Sequence, residues 1–328
     1  MRIVVPAGGI GGARFLRGLR AVLGTGAGTP QEQSTGSITV IGNTGDDITL
    51  FGLRICPDLD TVMYTLGGGI NEEQGWGRDG ETFTVKEELA AYGMKPTWFG
   101  LGDRDTATHI VRAQMLAAGY PLSAVTEALC DRWKPGVRLL PMTDDQVETH
   151  VVVDDGDGRR AIHFQEWWIR HRAALPAERI VSVGAEEASP APGVLKAIDE
   201  ADAVILPPSN PVVSVGSVLG VPGIREAMAA KTVVGVSPII GGAPVRGMAD
   251  ACLRAVGVET SAGAVAGYLG ADLLDGWLVD EADAGTEVEG IEVRSRPLYM
   301  SGPEATEAIA RAAVDLAVEL AAGKGERG

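Results

Sequence analysis

Two short acidic runs are the part of the sequence best suited to chemistry. Asn43-Thr44-Gly45-Asp46-Asp47 is followed closely by Pro57-Asp58-Leu59-Asp60. Mg²⁺ takes one or two carboxylates and completes its octahedron with water and phosphate oxygens. Asp46 or Asp47 together with Asp60 supplies such a pair, and we expect Asp46 and Asp60 to hold Mg²⁺, with Asp47 in reserve. Asp58 has a plainer reading as the N-cap of a helical pattern through Thr61 and Leu66. With 44 acidic residues in the chain, two acids fall together easily. Position gives this pair its weight, because the first run directly follows a strand pattern.

Phosphate chemistry is also suggested at other predicted strand ends. Gly8-Gly9-Ile10-Gly11-Gly12 separates a β-branched run from a helical pattern. Glycines there let main chain approach a phosphate, and the following helix adds amides and its dipole. The run is not a Walker A loop, and it misses GxGxxG because Arg14 occupies the third glycine position. A tight strand-to-helix turn is the plain alternative. Pro207-Pro208-Ser209-Asn210-Pro211 and Ser237-Pro238 with Gly241-Gly242 follow two later strand patterns. Three such loops fit a ligand with several phosphate or ribose groups better than three unrelated turns.

Other constellations are weaker. Gly102 to His109 opens a helical pattern in which Asp103 or Asp105 serves as a cap, and Pro141 to Asp145 reads equally as a turn. Phe164, Trp167, Trp168 and Trp76 suit either a core or a stack on a planar ring. The four histidines form no i,i+3 or i,i+4 pair, which removes a zinc-hydrolase reading. There is no GxSxG and no CxxC among the three cysteines, so neither a serine nucleophile nor a zinc knuckle is supported.

The elements that must position these residues alternate in type. Strand patterns at 2–6, 38–41, 137–140, 180–183, 203–206 and 233–236 interleave with helical ones at 13–23, 193–201, 222–229, 246–256 and 303–322. A hairpin is expected over 149–164, and an exposed polar loop over 24–37. This alternation predicts an α/β fold: a Rossmann-like, doubly wound, mainly parallel sheet. Helical spacings dominate from 59 to 133, which we read as a helical insert between core segments 1–58 and 134–328. The formal charge of −16 argues against a nucleic-acid partner, whose phosphates call for Lys and Arg. No run approaches a membrane span and the start lacks a secretory h-region, so a cytoplasmic protein is expected.

Taken in order, PAGGIGGARFLRGL, NTGDDITLFGLRICPDLDTVMYTL, GLGDRDTATHI, LPMTDDQVETHV, HFQEWWI, PPSNPVVSVGSVLGVPGIREAM and VSPIIGGAPVRGMAD resemble the 2-phospho-L-lactate transferase family of coenzyme F-420 biosynthesis. The resemblance implies Mg²⁺-dependent transfer of a phospho-organic acid from a guanosine-diphosphate-activated donor to the deazaflavin Fo, releasing GMP, in a homodimer. The form of the first two blocks resembles the actinobacterial branch, implying a phosphoenolpyruvyl donor and dehydro-F-420-0 as product; the lactyl donor is the alternative. A non-catalytic nucleotide-sugar-binding factor would keep the glycine run but not need both acidic runs. By the same resemblance, Gly8, Gly9, Gly11 and Gly12 form the phosphate turn, and Asp60 contacts Fo. Asn43, Asp46 and Asp47 lie in the metal and acceptor region, and Ser209, Asn210 and Ser237 on the nucleotide side. Gly100 stands where archaeal relatives carry a lysine that touches Fo.

Overall fold

The computed structural model describes residues 1–25, 36–156 and 158–325. Residues 26–35, most of the expected polar loop, lie outside them. β1 (Arg2–Ala7) is buried at every position but Arg2, as a strand covered on both faces must be. It passes through Gly8 directly into α1 (Gly9–Leu23). The glycine run was expected to be a loop ahead of a helix at Ala13. Instead, Gly9–Gly12 form the first helical turn, because a bare backbone lets α1 start hard against a neighbouring loop. A methyl group on Gly11 would strike the Pro208 carbonyl, and one on Gly12 the Ser209 hydroxyl.

The chain then forms β2 (Ser37–Gly42), the small hairpin β3 (Ile48–Leu50) and β4 (Leu53–Ile55), and α2 (Pro57–Gly67). α3 (Thr84–Ala91), α4 (Asp103–Ala117) and α5 (Leu122–Trp133) follow, before β5 (Arg138–Pro141) returns to the sheet. α2 and α5 share the core of the sheet: Leu59, Val62, Met63, Leu122 and Val125 pack with Phe15, Leu16 and Val40. α3 buries none of its residues. α3 and α4 exchange caps: Glu81 accepts from the Arg104 and Asp105 amides, and Asp103 accepts from those of Thr84 and Val85. Asp103 thus caps the preceding helix, not its own.

β6 (Glu148–Asp154) and β7 (Arg159–His163) make the expected hairpin, and β8 (Ala177–Val183) joins them as an antiparallel three-stranded sheet. The run 180–183 was expected in the parallel sheet. β8 is mostly half-exposed, which suits a side sheet and not a doubly covered one. The remaining elements are α6 (Val194–Asp199), β9 (Ala203–Leu206), α7 (Val215–Leu219), α8 (Ile224–Ala229), β10 (Val233–Val236) and the hairpin β11 (Ile239–Ile240) and β12 (Ala243–Pro244). Then come α9 (Ala249–Ala255), α10 (Ala262–Leu269), β13 (Gly276–Val279), β14 (Glu292–Ser295) and α11 (Pro303–Gly325).

The central sheet has the order β14-β13-β10-β9-β1-β2-β5, and every neighbouring pair is parallel. The chain order reverses between β1 and β9, which is where a doubly wound sheet opens a crevice at its carboxyl edge. The glycine turn, Asn43 and the loops at Pro207 and Ser237 follow β1, β2, β9 and β10, four adjacent strands. The fold is therefore α/β and doubly wound, as expected; the sequence reading missed β13 and β14. Among the described residues no helix is long and apolar enough to cross a membrane.

Candidate functional site

At the switch point the main chain closes first. The Ser209 hydroxyl donates to the Gly8 carbonyl (2.8 Å), and Asn210 Oδ1 accepts from the Val212 and Val213 amides (2.9 and 3.2 Å). Ser237 Oγ donates to the Ile239 carbonyl (2.8 Å). These three side chains hold their loops in shape, so what the loops offer the crevice is chiefly main chain.

Asp58 does not cap its own helix. Its carboxylate accepts from the Gly9 amide (2.7 Å) and from Asn43 Nδ2 (2.8 Å), placing an anion at the N-terminus of α1. Asn43 also donates to the Val213 carbonyl (3.1 Å) and accepts from the Gly45 amide (2.8 Å), so one buried amide ties together the ends of β1 and β2 and the loop after β9. Helix geometry leaves the Ile10 and Gly11 amides without an intrahelical acceptor.

Asp46, Asp47, Asp58 and Asp60 are all buried. Burial, then the neighbouring charges of Asp58 and Asp47, raises the Asp46 carboxyl well above the ordinary range. Burial pushes Asp58 up to about 6, against the hydrogen bonds from Asn43 and Gly9. Asp47 is also pushed up to about 6 by burial, in spite of Arg54, whose Nε and Nη2 each lie 3.0 Å from its Oδ2. The Cys56 thiol donates to the same oxygen (3.1 Å), and burial raises its pKa, which favours the thiol over the thiolate. The side sheet covers this loop: Thr149 N donates to the Gly45 carbonyl (2.6 Å) and His163 Nε2 to that of Asp47 (3.0 Å).

Asp60 belongs to a second network. Its Oδ1 accepts from Arg112 Nη2, and Arg112 Nη1 sits 2.9 Å from His109 Nδ1. A guanidinium only donates, so Nδ1 accepts and the His109 proton resides on Nε2, 3.3 Å from Asp105. Asp105 also accepts from Tyr64 OH (2.7 Å). Burial raises the Asp105 carboxyl, but His109, Tyr64 and Arg112 together hold it below the usual range. Asp60, Asp105 and His109 lie close enough to hold a metal. Arg112, however, already supplies the cation and occupies His109 Nδ1, so this triad works as a positioning network. Sequence reasoning stopped at His109 and missed Arg112. Its i,i+3 spacing from His109, with Asp105 four residues before that histidine on the same face, was the available signal. Arg54 and His163 left none.

Asp46 Oδ1 and Asp60 Oδ2 are buried carboxylate oxygens with no hydrogen-bond partner. Beyond Asp60, a pocket is lined by Trp76, Arg78, Glu81, Phe83, Gly100 and Asp105. Trp76 is exposed beside Gly100, where a Cβ would stand 3.8 Å from it. Of the other aromatic candidates, Phe164 and Trp167 are core, with Trp167 Nε1 bonded to the Leu175 carbonyl (2.8 Å), and the half-buried Trp168 stacks on Phe164. Asp144 caps α5 through Ser123, and Asp145 ties to Ser189; neither faces the crevice group.

A family model described as 2-phospho-L-lactate transferase CofD matches residues 3–311. A phosphoenolpyruvate transferase of Thermobifida fusca is 81% identical over 98% of this chain and 99% of its own. Those of Streptomyces coelicolor and Mycolicibacterium smegmatis are 67% and 57% identical, over 98% and 97% of this chain and 99% of each relative. A crystal structure of a upf0052 family member from Bacillus halodurans superposes with a TM-score of 0.59 at 17% identity, covering 95% of this chain and 99% of that one. That last likeness speaks to the fold alone.

Proposed function

Since the chain belongs to the 2-phospho-L-lactate transferase CofD family and is a transferase of phospho-organic groups, we propose that it moves a phosphoenolpyruvyl group from enolpyruvoyl-2-diphospho-5'-guanosine to the deazaflavin Fo, giving dehydro-coenzyme F-420-0 and GMP. The observation that carries this reading is identity of 81% with a phosphoenolpyruvate transferase across essentially the whole of both chains. The same observation favours the enolpyruvyl over the lactyl donor. The working form is a cytoplasmic homodimer that binds small molecules and neither nucleic acid nor membrane.

The donor lies along the crevice between the loops after β1, β9 and β10, its phosphates near the Ile10 and Gly11 amides. The ring system of Fo stacks between Trp76 and Phe83, and its ribityl chain reaches toward Asp60. Asp46 and Asp60, each with one carboxylate oxygen that lacks a hydrogen-bond partner, would hold Mg²⁺; hard carboxylate oxygens suit that ion. When bound, the ion neutralises phosphate oxygens as charge develops on them. The chain does the positioning: Arg112 fixes one oxygen of Asp60 and leaves the other without a hydrogen-bond partner. Burial beside Asp58 and Asp47 holds Asp46 toward its protonated form, so the ion would bind there by displacing that proton.

Incubating the protein with Fo, Mg²⁺ and each of the two donors, then weighing the deazaflavin product, tests the proposal. The dehydro product should dominate. A product carrying lactyl alone would reassign the donor, and no product from either would end the transferase assignment for this chain.

A further inference from the structure

Three arginines converge where α1 meets the insert loop 71–77. Arg17 is neutralised: its Nη1 and Nη2 lie 3.0 and 2.5 Å from the Glu72 carboxylate. Arg14 and Arg246 differ. Their hydrogen bonds go to main-chain carbonyls only, those of Glu72 (3.5 Å) and Gln74. Arg14 is half-buried, and burial, then the charge of Arg246, lowers its pKa, so the two like charges feel one another. Both reach the insert loop, which packs at Gly75 against Ile10 in the first turn of α1. Side chains on a helix lean toward its N-terminus, which carries Arg14 back over Ile10 and the open amides of the first turn. Arg246 follows β12, in the loop region after β10, and reaches across to the same place. Gly75, at φ +76°, is wedged between Ile10 and Arg246: a Cβ there would lie 3.0 Å from Ile10 and 3.3 Å from Arg246 Nη1.

Glu72, the carboxylate that acts on Arg14, is already engaged by Arg17, so a half-buried Arg14 and an exposed Arg246 keep donors that suit an outside anion. We propose that Arg14 and Arg246 are a specificity-determining clamp for an anionic group of the donor, its carboxylate or its diphosphate. Each arginine carries five N–H donors, so a carbonyl bond to the insert loop leaves most of them for a ligand. The loop carbonyls also orient both forks before the donor arrives, which reduces the entropy lost on binding. This inference rests on the transferase reading, and its test uses equilibrium binding so that the two can fail separately.

Arg14→Gln and Arg246→Gln are titrated with the donor, GDP, guanosine and Fo, none of which requires turnover. Each substitution should weaken the donor about tenfold or more, the usual size for a charge-assisted hydrogen bond, and leave guanosine and Fo as in wild type. Loosening of the insert loop would weaken guanosine or Fo as well, so that pattern overturns the clamp. Loss of GDP affinity in parallel with the donor identifies the diphosphate as the held anion. Loss confined to the donor identifies the carboxylate. Arg→Lys at either site should recover only part of the loss, because Lys keeps the charge without the fork. Wild-type affinity of both variants for donor and GDP overturns the proposal, whatever the wild-type protein does in the transfer assay.

Discussion

Asp46 and Asp60 are both buried acids, yet replacing them has opposite consequences for the fold. Asp60 is the counter-charge of the buried Arg112, and removing one partner of such a pair costs about 3–5 kcal/mol. Asp60→Asn should therefore lose transfer and also melt many degrees lower. Asp46 is held toward its protonated form by burial and by Asp58 and Asp47. An amide resembles that form, so Asp46→Asn should fold at least as stably at pH 7.5 while transfer and Mg²⁺-induced stabilisation vanish. Wild-type turnover by Asp46→Asn would remove it from the catalytic pair. The pH dependence follows from the same acids. Burial pushes the Asp47 and Asp58 carboxyls up to about 6 when folded, against an ordinary value of 3.8. Between those values the folded state binds more protons than the unfolded chain. Their contribution to stability is thus full below about 3.8 and lost as pH rises through 6. At Asp46, whose carboxyl is also raised, a divalent cation competes with the proton. The rise in melting temperature on adding Mg²⁺ should be small at pH 5 and larger at pH 7.5, and a pH-independent rise would show that Asp46 does not meet the ion.

At the scale of elements, α1 is set by its glycines, and alanine there reverses the usual rule. Gly→Ala inside a helix ordinarily stabilises by up to about 1 kcal/mol. At Gly18, a methyl group meets the Thr306 carbonyl and its neighbours at the start of α11, so Gly18→Ala should destabilise by about 1–3 kcal/mol, the usual size of overpacking. Gly11→Ala meets the Pro208 carbonyl at the crevice instead, and its loss should appear in donor affinity more than in melting temperature. If either variant gains stability, the close approach is wrong. These glycines also mark how far the sequence could be read. Their strand-end position was legible, because β1, β2, β9 and β10 are apolar runs bounded by turn residues. Their inclusion in the helix was not, because it depends on Pro208 and Ser209, nearly two hundred residues away. The same limit hid β8's antiparallel pairing, the short β13 and β14, and the Arg112 and His163 contacts. Periodicity along a chain carries no record of which distant carbonyl a side chain will meet.

At the scale of the molecule, one end of the fold is left unlike the rest. Among the described residues, eight of the fourteen large apolar side chains that stand exposed fall between Trp76 and Tyr120. Trp76 and Phe83 among them line the proposed acceptor pocket; Val85, Tyr92, Met94, Ile110, Val111 and Tyr120 do not. A concentration of this kind marks a surface that another molecule covers. A second copy of the chain is the simplest cover, since isologous dimers need only one self-complementary patch. α4 makes the consequence testable, because its two faces have separate work. Thr108, His109 and Arg112 point inward to Asp60 and Tyr64, while Ile110 and Val111 are 51% and 46% exposed. The wild-type protein should sediment at twice the 34.1 kDa chain mass. Paired Ile110→Asp and Val111→Asp changes should give single chains that keep the fold, since neither side chain touches the Arg112–Asp60 pair. A wild-type mass of one chain at micromolar concentration, or a double variant that remains dimeric, would place the interface elsewhere or dispense with it.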